Sequence, residues 1–401
     1  MSRPSRPRRV LGIVAATAAL LALSATAATS AGASGTTSTT TPAARPKMTV
    51  IARGLNNPRG LAFDRHGALY VAEAGKGGNG KCITGPEGDQ QCFGTSGSVT
   101  RIAHGHQTRV LTGLPSLAAR DGTGATGPSD VAIGKHRALL QVQNPGGGPE
   151  TRQQFGPAGN PFGRLLRVFP PPISSLADFP TFEKNHNPDN GAGAQPGEAI
   201  DSDPYAVAVK DGIAVVADAG GNDLLRVGRD GRITVLAVFP IRMVLAPPFL
   251  GLPPGTKIPM QAVPDSVVRG PDGAWYVGEL TGFPFPKGAA RIWRVVPGHK
   301  PTILARGFTN IIDLAFDRWG RLNVLEISRN GLASSDPLTG ALFRIEPGGG
   351  KTLLASTGLV NPAGLAIGRD GAFYVSNFGT FPGSDPSHAL PGTGQVVRIR
   401  P

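Results

Sequence analysis

The chain contains 401 residues, and its 40 Lys and Arg against 27 Asp and Glu give a formal net charge of +13. This length is ample for a large buried core. The basic residues are spread along the sequence, with no Lys/Arg run and no basic stripe interleaved with aromatic residues, so the composition argues against a nucleic-acid partner. We expect a monomer with a solvated, basic surface.

The first residues have the features of an export signal. A basic start with four Arg leads into the uncharged apolar stretch 10–23, which is too short to cross a bilayer comfortably, and small residues typical of a cleavage site follow. We therefore predict a signal peptide at 1–33, a Ser/Thr/Pro linker at 34–47 and a secreted, extracytoplasmic domain at 48–401. No later segment has the length and apolarity of a membrane span.

From residue 49 onward, one sequence motif is repeated six times. The clearest copy, 49–75, returns at 302 and 352, and looser copies begin at 108, 203 and 263. Each unit contains an Arg that precedes a β-branched residue, and these pairs recur about every 59 residues. A fixed period of this size indicates a solenoid, propeller or array.

Each unit has the pattern of four short strands. Runs of β-branched and aromatic residues are separated by Gly, Pro or Asp-Gly turns. The last unit ends after its third strand, and a matching fourth strand stands at the other end of the sequence, at 49–52. Pairing the two predicts an all-β, six-bladed β-propeller closed by the N-terminal strand. The alternative, an open β array, would leave one outer strand unpaired.

The two cysteines lie in a Gly-rich insertion of the first unit. Cys82 and Cys92 are ten residues apart in the segment GGNGKCITGPEGDQQC. In an exported protein, two such thiols in one loop favour a disulfide. The alternative is a thiolate nucleophile or metal ligand, but the same insertion contains no His.

The long insertions all fall on one face of the predicted propeller. Turns from first to second strand and from third to fourth are short, whereas second-to-third and blade-to-blade connections are long. Loops on a rigid scaffold commonly carry function, so we expect a small molecule or a protein to bind on this face. The Pro-rich insertion at 240–264 is stiff and apolar, which suits a lid or a partner surface. The insertions are 74–98, 115–128, 144–162, 183–203, 241–263, 280–290, 327–340 and 377–394.

Departures from the repeat identify candidate binding residues on this face. Carboxylates stand at the end of several second strands and at the start of several first strands, and both positions lie toward the insertions. Two further charged residues stand one position before the start of the first strand. The predicted ligand-binding residues around the channel mouth are Arg59, Glu73, Asp130, Asp218, Asp265, Glu279, Asp313 and Glu326.

Converging carboxylate oxygens are the hard ligands that Ca²⁺ prefers. The sequence therefore predicts a calcium site at the channel mouth, with Asp218, Glu279 and Glu326 as its metal ligands. The alternative is that each acid pairs with Arg or caps a backbone turn within its own blade.

Beyond the general NHL-type blade, residues 48–400 resemble the ScyD/ScyE family of exported six-bladed proteins. The resemblance implies an association with secondary metabolism, and it transfers no catalytic residues. It rests on the phrases GLNNPRGLAF (54–63), YVAEAG (70–75), DGTGATGPSD (121–130), EKNHNPD (183–189), VVADAGGNDLLRV (215–227), APPFLGLPPGTKIPMQAVPDSV (246–267), VGELTGFPFPKGAARIWRV (277–295) and GFTNIIDLAF (307–316).

These observations favour a secreted binding or accessory protein with an undetermined ligand. The sequence shows no nucleophile–base pair and no closed metal motif, and the repeat alone explains most residues. The alternative function is a metal-dependent hydrolase or lactonase-like enzyme that uses the carboxylates of the channel mouth.

Overall fold

The computed structural model describes residues 46–85, 88–193, 200–334, 338–380 and 393–400. The predicted signal peptide at 1–33 and all but the last two residues of the predicted linker at 34–47 lie outside the described residues. In the described part of the chain, strands account for most of the regular structure and the helices are short.

The first half of the described chain forms β1 and three antiparallel blades. β1 (Lys47–Leu55) belongs to the last blade, and in blade 1 both β4 and β6 pair with β5. Blades 1 to 3 consist, in chain order, of β2 (Pro58–Phe63), β3 (Leu69–Glu73), β4 (Cys82–Thr84), β5 (Gln90–Ala103) and β6 (His106–Ala119); β7 (Pro128–Ile133), β8 (Ala138–Val142), β9 (Arg164–Phe169) and β10 (Ser174–Asp178); and β11 (Pro204–Lys210), β12 (Ile213–Asp218), β13 (Asp223–Val227) and β14 (Ile233–Val238).

The second half forms a separate hairpin and three further blades. The hairpin pairs β15 (Arg242–Leu245) with β16 (Lys257–Met260) and lies within the Pro-rich insertion. Blades 4 to 6 consist of β17 (Pro264–Arg269), β18 (Trp275–Glu279), β19 (Ala290–Val295) and β20 (Thr302–Phe308); β21 (Ile311–Phe316), β22 (Leu322–Glu326), β23 (Ala341–Ile345) and β24 (Lys351–Ala355); and β25 (Gly364–Ile367), β26 (Phe373–Asn377) and β27 (Gly394–Arg400) with β1.

The N-terminal strand completes blade 6. β1 pairs antiparallel with β27, from Lys47 opposite Arg400 to Leu55 opposite Gly394. The pairing supplies the fourth strand that the last unit lacks and removes an open sheet edge. The predicted six-bladed propeller, closed by the N-terminal strand, is confirmed.

The six first strands form a closed ring. Each contacts the first strand of the next blade, and β25 of blade 6 contacts β2 of blade 1. Blades 1 and 4 therefore lie opposite each other across the central channel. Apolar side chains fill the space between blades, as where Trp293 of blade 4 and Leu325 of blade 5 belong to one buried cluster. Burial of these side chains is the main stabilising contribution to such a fold.

Two short α-helices lie in the insertions, α1 (Pro149–Gln153) between the second and third strands of blade 2 and α2 (Phe179–His186) between blades 2 and 3. In addition, 3₁₀ turns occur at Gly156–Gly159 and Pro248–Leu250. The Asp178 side chain accepts a hydrogen bond from the Thr181 N–H and so caps α2. Arg152 and Arg164 both pair with the Asp178 carboxylate, at 2.5 and 3.0 Å, which fixes the start of α2 on blade 2.

The two cysteines form a disulfide. Cys82 on β4 and Cys92 on β5 are direct cross-strand neighbours, and their sulfur atoms are bonded. The predicted pairing is confirmed. No helix in the described residues has both the length and the apolarity that a membrane crossing requires.

Candidate functional site at the channel mouth

The first strands are irregular where they begin, on the face that carries the insertions. In blade 4, the pairing of β17 with β18 passes from Pro264 to Ser266 and leaves Asp265 as an extra, bulged residue. β-Bulges redirect side chains and are common beside active sites. The corresponding positions in blades 1 to 5 are Arg59 with Gly60, Ser129, Tyr205, Asp265 and Ile312.

Three of these residues meet across the channel. Arg59, Tyr205 and Asp265 belong to blades 1, 3 and 4, and all three are buried. The charges of Arg59 and Asp265 both act on the pKa of Tyr205, and Arg59 also acts on the pKa of Asp265. Side chains of opposite blades can interact in this way only through the channel. The structure thus brings the predicted residues Arg59 and Asp265 to one site.

Polar atoms at this site lack protein partners. Arg59 Nη2 donates a hydrogen bond to the Ala125 carbonyl at 2.7 Å, but Arg59 Nε has no hydrogen-bond partner among the described residues. The Tyr205 hydroxyl lies close enough to the guanidinium for a hydrogen bond from Arg59 to act on the Tyr205 pKa, but the two groups are not aligned as a full hydrogen bond. Buried donors without partners are costly, so these two atoms mark a place where a bound molecule or water is needed.

Asp265 is poised to change its protonation state near neutral pH. Burial raises the pKa of Asp265 to about 8, and the nearby Arg59 charge opposes this rise. A carboxyl with a pKa close to the working pH can accept a proton in one step and return it in the next. Burial is also the main cause that raises the pKa of Tyr205, which keeps its hydroxyl protonated as a hydrogen-bond donor.

Two further polar residues extend the site toward blade 2. Burial, followed by the charges of Asp265 and Asp218, raises the pKa of Asp203 well above its usual value. Gln143 Nε2 donates to the Asp203 carboxylate at 3.3 Å. Asp203 and Gln143 therefore add polar groups to the channel mouth beside Asp265.

Asp130 and Asp313, both predicted ligand residues, fasten adjacent blades. Asp130 accepts hydrogen bonds from its neighbouring Val131 N–H and from the Val207 N–H of blade 3, both at 2.8 Å. Asp313 accepts in the same way from Leu314 and from Leu365 of blade 6. Burial raises the pKa of both carboxyls, to about 7 for Asp313.

The predicted residues at the ends of the second strands bond within their own blades. The Asn56 N–H donates to Glu73 at 2.7 Å, and the Thr309 N–H donates to Glu326 at 2.8 Å. Glu73 also pairs with Arg109 at 2.9 Å. In each case the acid fixes the backbone that leads into the first strand of its blade.

Glu279 and Asp218 also have hydrogen-bond or ion-pair partners in the protein. Glu279 accepts from the Trp293 indole N–H and pairs with Arg242, both at 2.7 Å. Asp218 accepts from the Ser202 hydroxyl and the Asp203 N–H, also at 2.7 Å. The structure therefore places the three predicted calcium ligands in different blades. Among the described residues, no three His, Cys, Asp or Glu side chains are arranged to hold a metal ion together.

Sequence reasoning missed Tyr205 and Asp203, and it placed Gln143 at the end of a second strand without including it among the predicted ligand-binding residues. A signal for Tyr205 was available, because Pro precedes the bulged residue in blades 1 to 4, and Tyr205 follows such a Pro just as Arg59 and Asp265 do. Nothing in the sequence indicated that Gln143 lies beside Asp203, because the contact joins two insertions of adjacent blades.

Comparisons with known proteins show the fold and no more. No family model matches the chain, and no curated protein matches it. A proposed oxidoreductase (glucose dehydrogenase) from Thermus thermophilus aligns with a TM-score of 0.50 and 17% identity, over 88% of this chain and 100% of that one. A protein of unknown function from Bacteroides thetaiotaomicron aligns with a TM-score of 0.51 and 8% identity, over 88% and 75%.

A third solved structure, a proposed gluconolactonase, has a TM-score of 0.48 and 11% identity, over 89% of this chain and 92% of that one. At these identities the likeness concerns the propeller fold alone. The resemblance to the ScyD/ScyE family stays a prediction.

Proposed function

We propose that the channel mouth is the active site of a hydrolase that acts on a small lactone or a related cyclic ester. The observation that carries this proposal is the arrangement of Arg59 and Asp265, which lie on opposite blades of the ring and act on each other electrostatically without forming an ion pair within 4.0 Å. A molecule placed between them would meet a cation on one side and a proton acceptor on the other.

This arrangement supports ester hydrolysis in the following way. Ionised Asp265 removes a proton from a water molecule as the water oxygen attacks the lactone carbonyl carbon. The carbonyl oxygen becomes an oxyanion, which the Arg59 guanidinium stabilises. When the intermediate collapses, the ring C–O bond breaks, and the leaving alkoxide takes the proton back from Asp265. The product is a hydroxy acid, whose carboxyl group releases its proton to solvent and stays next to Arg59 as a carboxylate.

Tyr205 completes the site as a donor. Its hydroxyl lies next to the Arg59 guanidinium, so it can hydrogen-bond to the same developing oxyanion. Calcium remains a proposal for this face, with Asp218, Glu279 and Glu326 as the predicted ligands. Because those acids already have hydrogen-bond or ion-pair partners in the protein, we assign the proton transfer to Asp265.

The test is proton release from a panel of γ- and δ-lactones, followed with a pH indicator. We expect turnover to increase with pH around an apparent pKa near 8, as Asp265 ionises. Asp265→Asn should lower kcat/KM by about 10²–10⁴-fold, and Arg59→Met by about 10²–10³-fold. Tyr205→Phe should have a smaller effect. The matched control is Asp317→Asn, a buried acid at the turn between β21 and β22, on the face opposite the insertions, which should keep its activity.

Two outcomes would overturn the proposal. One is full activity of Asp265→Asn. The other is a wild-type protein that turns over none of the lactones but binds hydroxy acids in calorimetry. The second result would favour the binding protein predicted from the sequence over the hydrolase.

A further inference from the structure

A second polar cluster lies in blade 3, apart from the bulged residues of the channel mouth. Asp218 ends β12 and Asp223 begins β13, and the two residues are direct cross-strand partners. Both are almost fully buried, with 1% and 0% of their surfaces exposed. Like charges at directly opposite positions destabilise a sheet, so this pair requires a compensating group.

The two carboxylates differ in the number of their hydrogen-bond partners. Asp218 accepts hydrogen bonds from Ser202, from the Asp203 N–H and from the Gly221 N–H, as expected for an ionised carboxylate. Neither oxygen of Asp223 has a hydrogen-bond partner among the described residues. A buried carboxyl without any partner is costly whether it is charged or neutral, which points to a missing group beside Asp223.

Glu183 on α2 adds a third buried carboxyl to the same place. It is 2% exposed, and its Oε1 has no partner in the described part of the chain. A carbon added at Gly221 would meet Glu183 Oε2 at 3.3 Å, the Asp218 carboxyl carbon at 3.6 Å and the Asp201 carbonyl oxygen at 3.7 Å. Two carboxyl groups and one backbone carbonyl therefore lie close to Gly221, which has no side chain.

The electrostatics agree with this geometry. Burial raises the pKa of Glu183 to about 8, and the charges of Asp218, Asp189 and Asp201 add to the rise. Burial and the charges of Asp218, Glu183 and Asp189 also raise the pKa of Asp223. Asp189 itself accepts a hydrogen bond from Asn222 Nδ2 at 3.0 Å, which holds its loop against blade 3.

We propose that a calcium ion binds here, between the carboxylates of Glu183 and Asp223 and beside Asp218. Calcium accepts six to eight oxygen ligands, including backbone carbonyls and water. No three carboxylates in the described ranges already share one point. Two carboxylates, the nearby Asp201 carbonyl and water would therefore supply the ligands.

The ion would connect α2 to the body of blade 3. This site differs from the calcium site predicted from the sequence, because Glu279 and Glu326 bond in blades 4 and 5. It is also independent of the proposed hydrolase activity, because none of the three residues Arg59, Tyr205 and Asp265 takes part.

The experiment uses the full-length exported protein after treatment with EDTA. Calorimetric titration with CaCl₂ should show one ion per chain. At a hundredfold excess over Kd, calcium should raise Tm by about 4 °C, because it binds only the folded state. Asp223→Asn and Glu183→Gln should each remove most of this shift, and circular dichroism establishes that both variants are folded. Glu326→Gln is the matched control and should keep the full shift.

Other results would overturn the proposal. If the wild type shows no calcium-dependent shift and Asp223→Asn raises Tm by itself, a proton neutralises the cluster rather than an ion. If Glu326→Gln abolishes the shift while Asp223→Asn keeps it, the ion lies at the channel mouth. Stabilisation by MgCl₂ without any by CaCl₂ would also contradict the assignment. Because each readout is binding or stability, failure of the lactonase proposal would leave these results unchanged.

Discussion

Arg59 and Asp265 stand on opposite blades of the ring, and the Arg59 charge acts on the pKa of Asp265 although no ion pair within 4.0 Å joins the guanidinium to the carboxyl. Both side chains stand at β-bulges at the beginning of a first strand. The bulges place these charged groups in the channel mouth, where burial prevents water from solvating them fully.

The first prediction concerns the pH dependence of stability. The folded-state pKa of Asp265 is raised to about 8 from an ordinary value of 3.8. The folded state therefore keeps its proton where the unfolded state has lost it, and the resulting destabilisation begins near pH 4 and is complete above pH 8. Asp265→Asn should unfold at higher denaturant concentration than the wild type at pH 8.5, and at a similar concentration at pH 4.

The size of this effect is set by about 1.4 kcal/mol for each unit of pKa shift, so several kcal/mol is the upper limit. The control is Asp211→Asn, which changes an exposed carboxyl at a hairpin turn and should have no such pH dependence. An Asp265→Asn protein that is less stable than the wild type at pH 8.5 would contradict this description of Asp265.

The second prediction concerns the closure of the ring. A protein that begins at residue 46 keeps β1, whereas one that begins at residue 56 lacks it and exposes the edge of β27. We expect the shorter protein to melt at a lower temperature and to aggregate, because an exposed edge strand pairs with other chains. Thermal unfolding and light scattering measure the two effects. Equal Tm values and two monomeric proteins would show that β1 contributes little to closure.

The third prediction concerns the contact between blades 1 and 2. A Cβ at Gly60 would lie 2.1 Å from Asp130 Oδ1, which is far inside van der Waals contact. Gly60→Ala must therefore displace the carboxylate that bonds to Val207, and we expect a loss of about 1–3 kcal/mol in the free energy of unfolding. Gly350→Ala is the control, because nothing lies within 4 Å of its Cβ. Equal stability of the two variants in urea would argue against this role of Asp130.

The fourth prediction concerns the disulfide. Cys82 and Cys92 join β4 to β5 at the edge of blade 1. Replacing both by Ser should speed proteolysis within the insertion between β3 and β5, because local opening no longer has to overcome the cross-link. Mass spectrometry of the fragments locates the cuts. A variant that is cut at the same rate and sites as the wild type would indicate that the strand pairing alone protects this segment.

The repeat predicted the fold well because each blade is specified locally. Short strands joined by tight turns recur in every unit, with Asp-Gly at the turn in three of them, and the missing strand of blade 6 is visible by comparing the two ends of the sequence. The insertions do not repeat, so the hairpin of β15 with β16 and the helix α2 were not predicted. Their structure depends on tertiary contacts, such as the pairing of Arg152 with Asp178.

The site was only partly predictable for a related reason. Charged residues at unusual positions, such as Arg59 and Asp265, stand out against the repeat. Tyr205 does not, because an aromatic residue at the start of a strand is typical of a core. The carboxylates at the ends of the second strands are similar in sequence, but Glu73 and Glu326 each bond to the backbone 17 residues before them. These bonds give Glu73 and Glu326 a structural role in their own blades.

The seam of blade 6 has a mechanical consequence. Because β1 and β27 run antiparallel with Lys47 opposite Arg400, the two ends of the described chain leave the sheet side by side. A force that pulls the two ends apart would break the hydrogen bonds between β1 and β27 one pair after another, starting at this end, rather than all at once. The pairing of β1 with β27, which we expect to stabilise the ring against thermal unfolding, is thus also the place where stretching would open the molecule first.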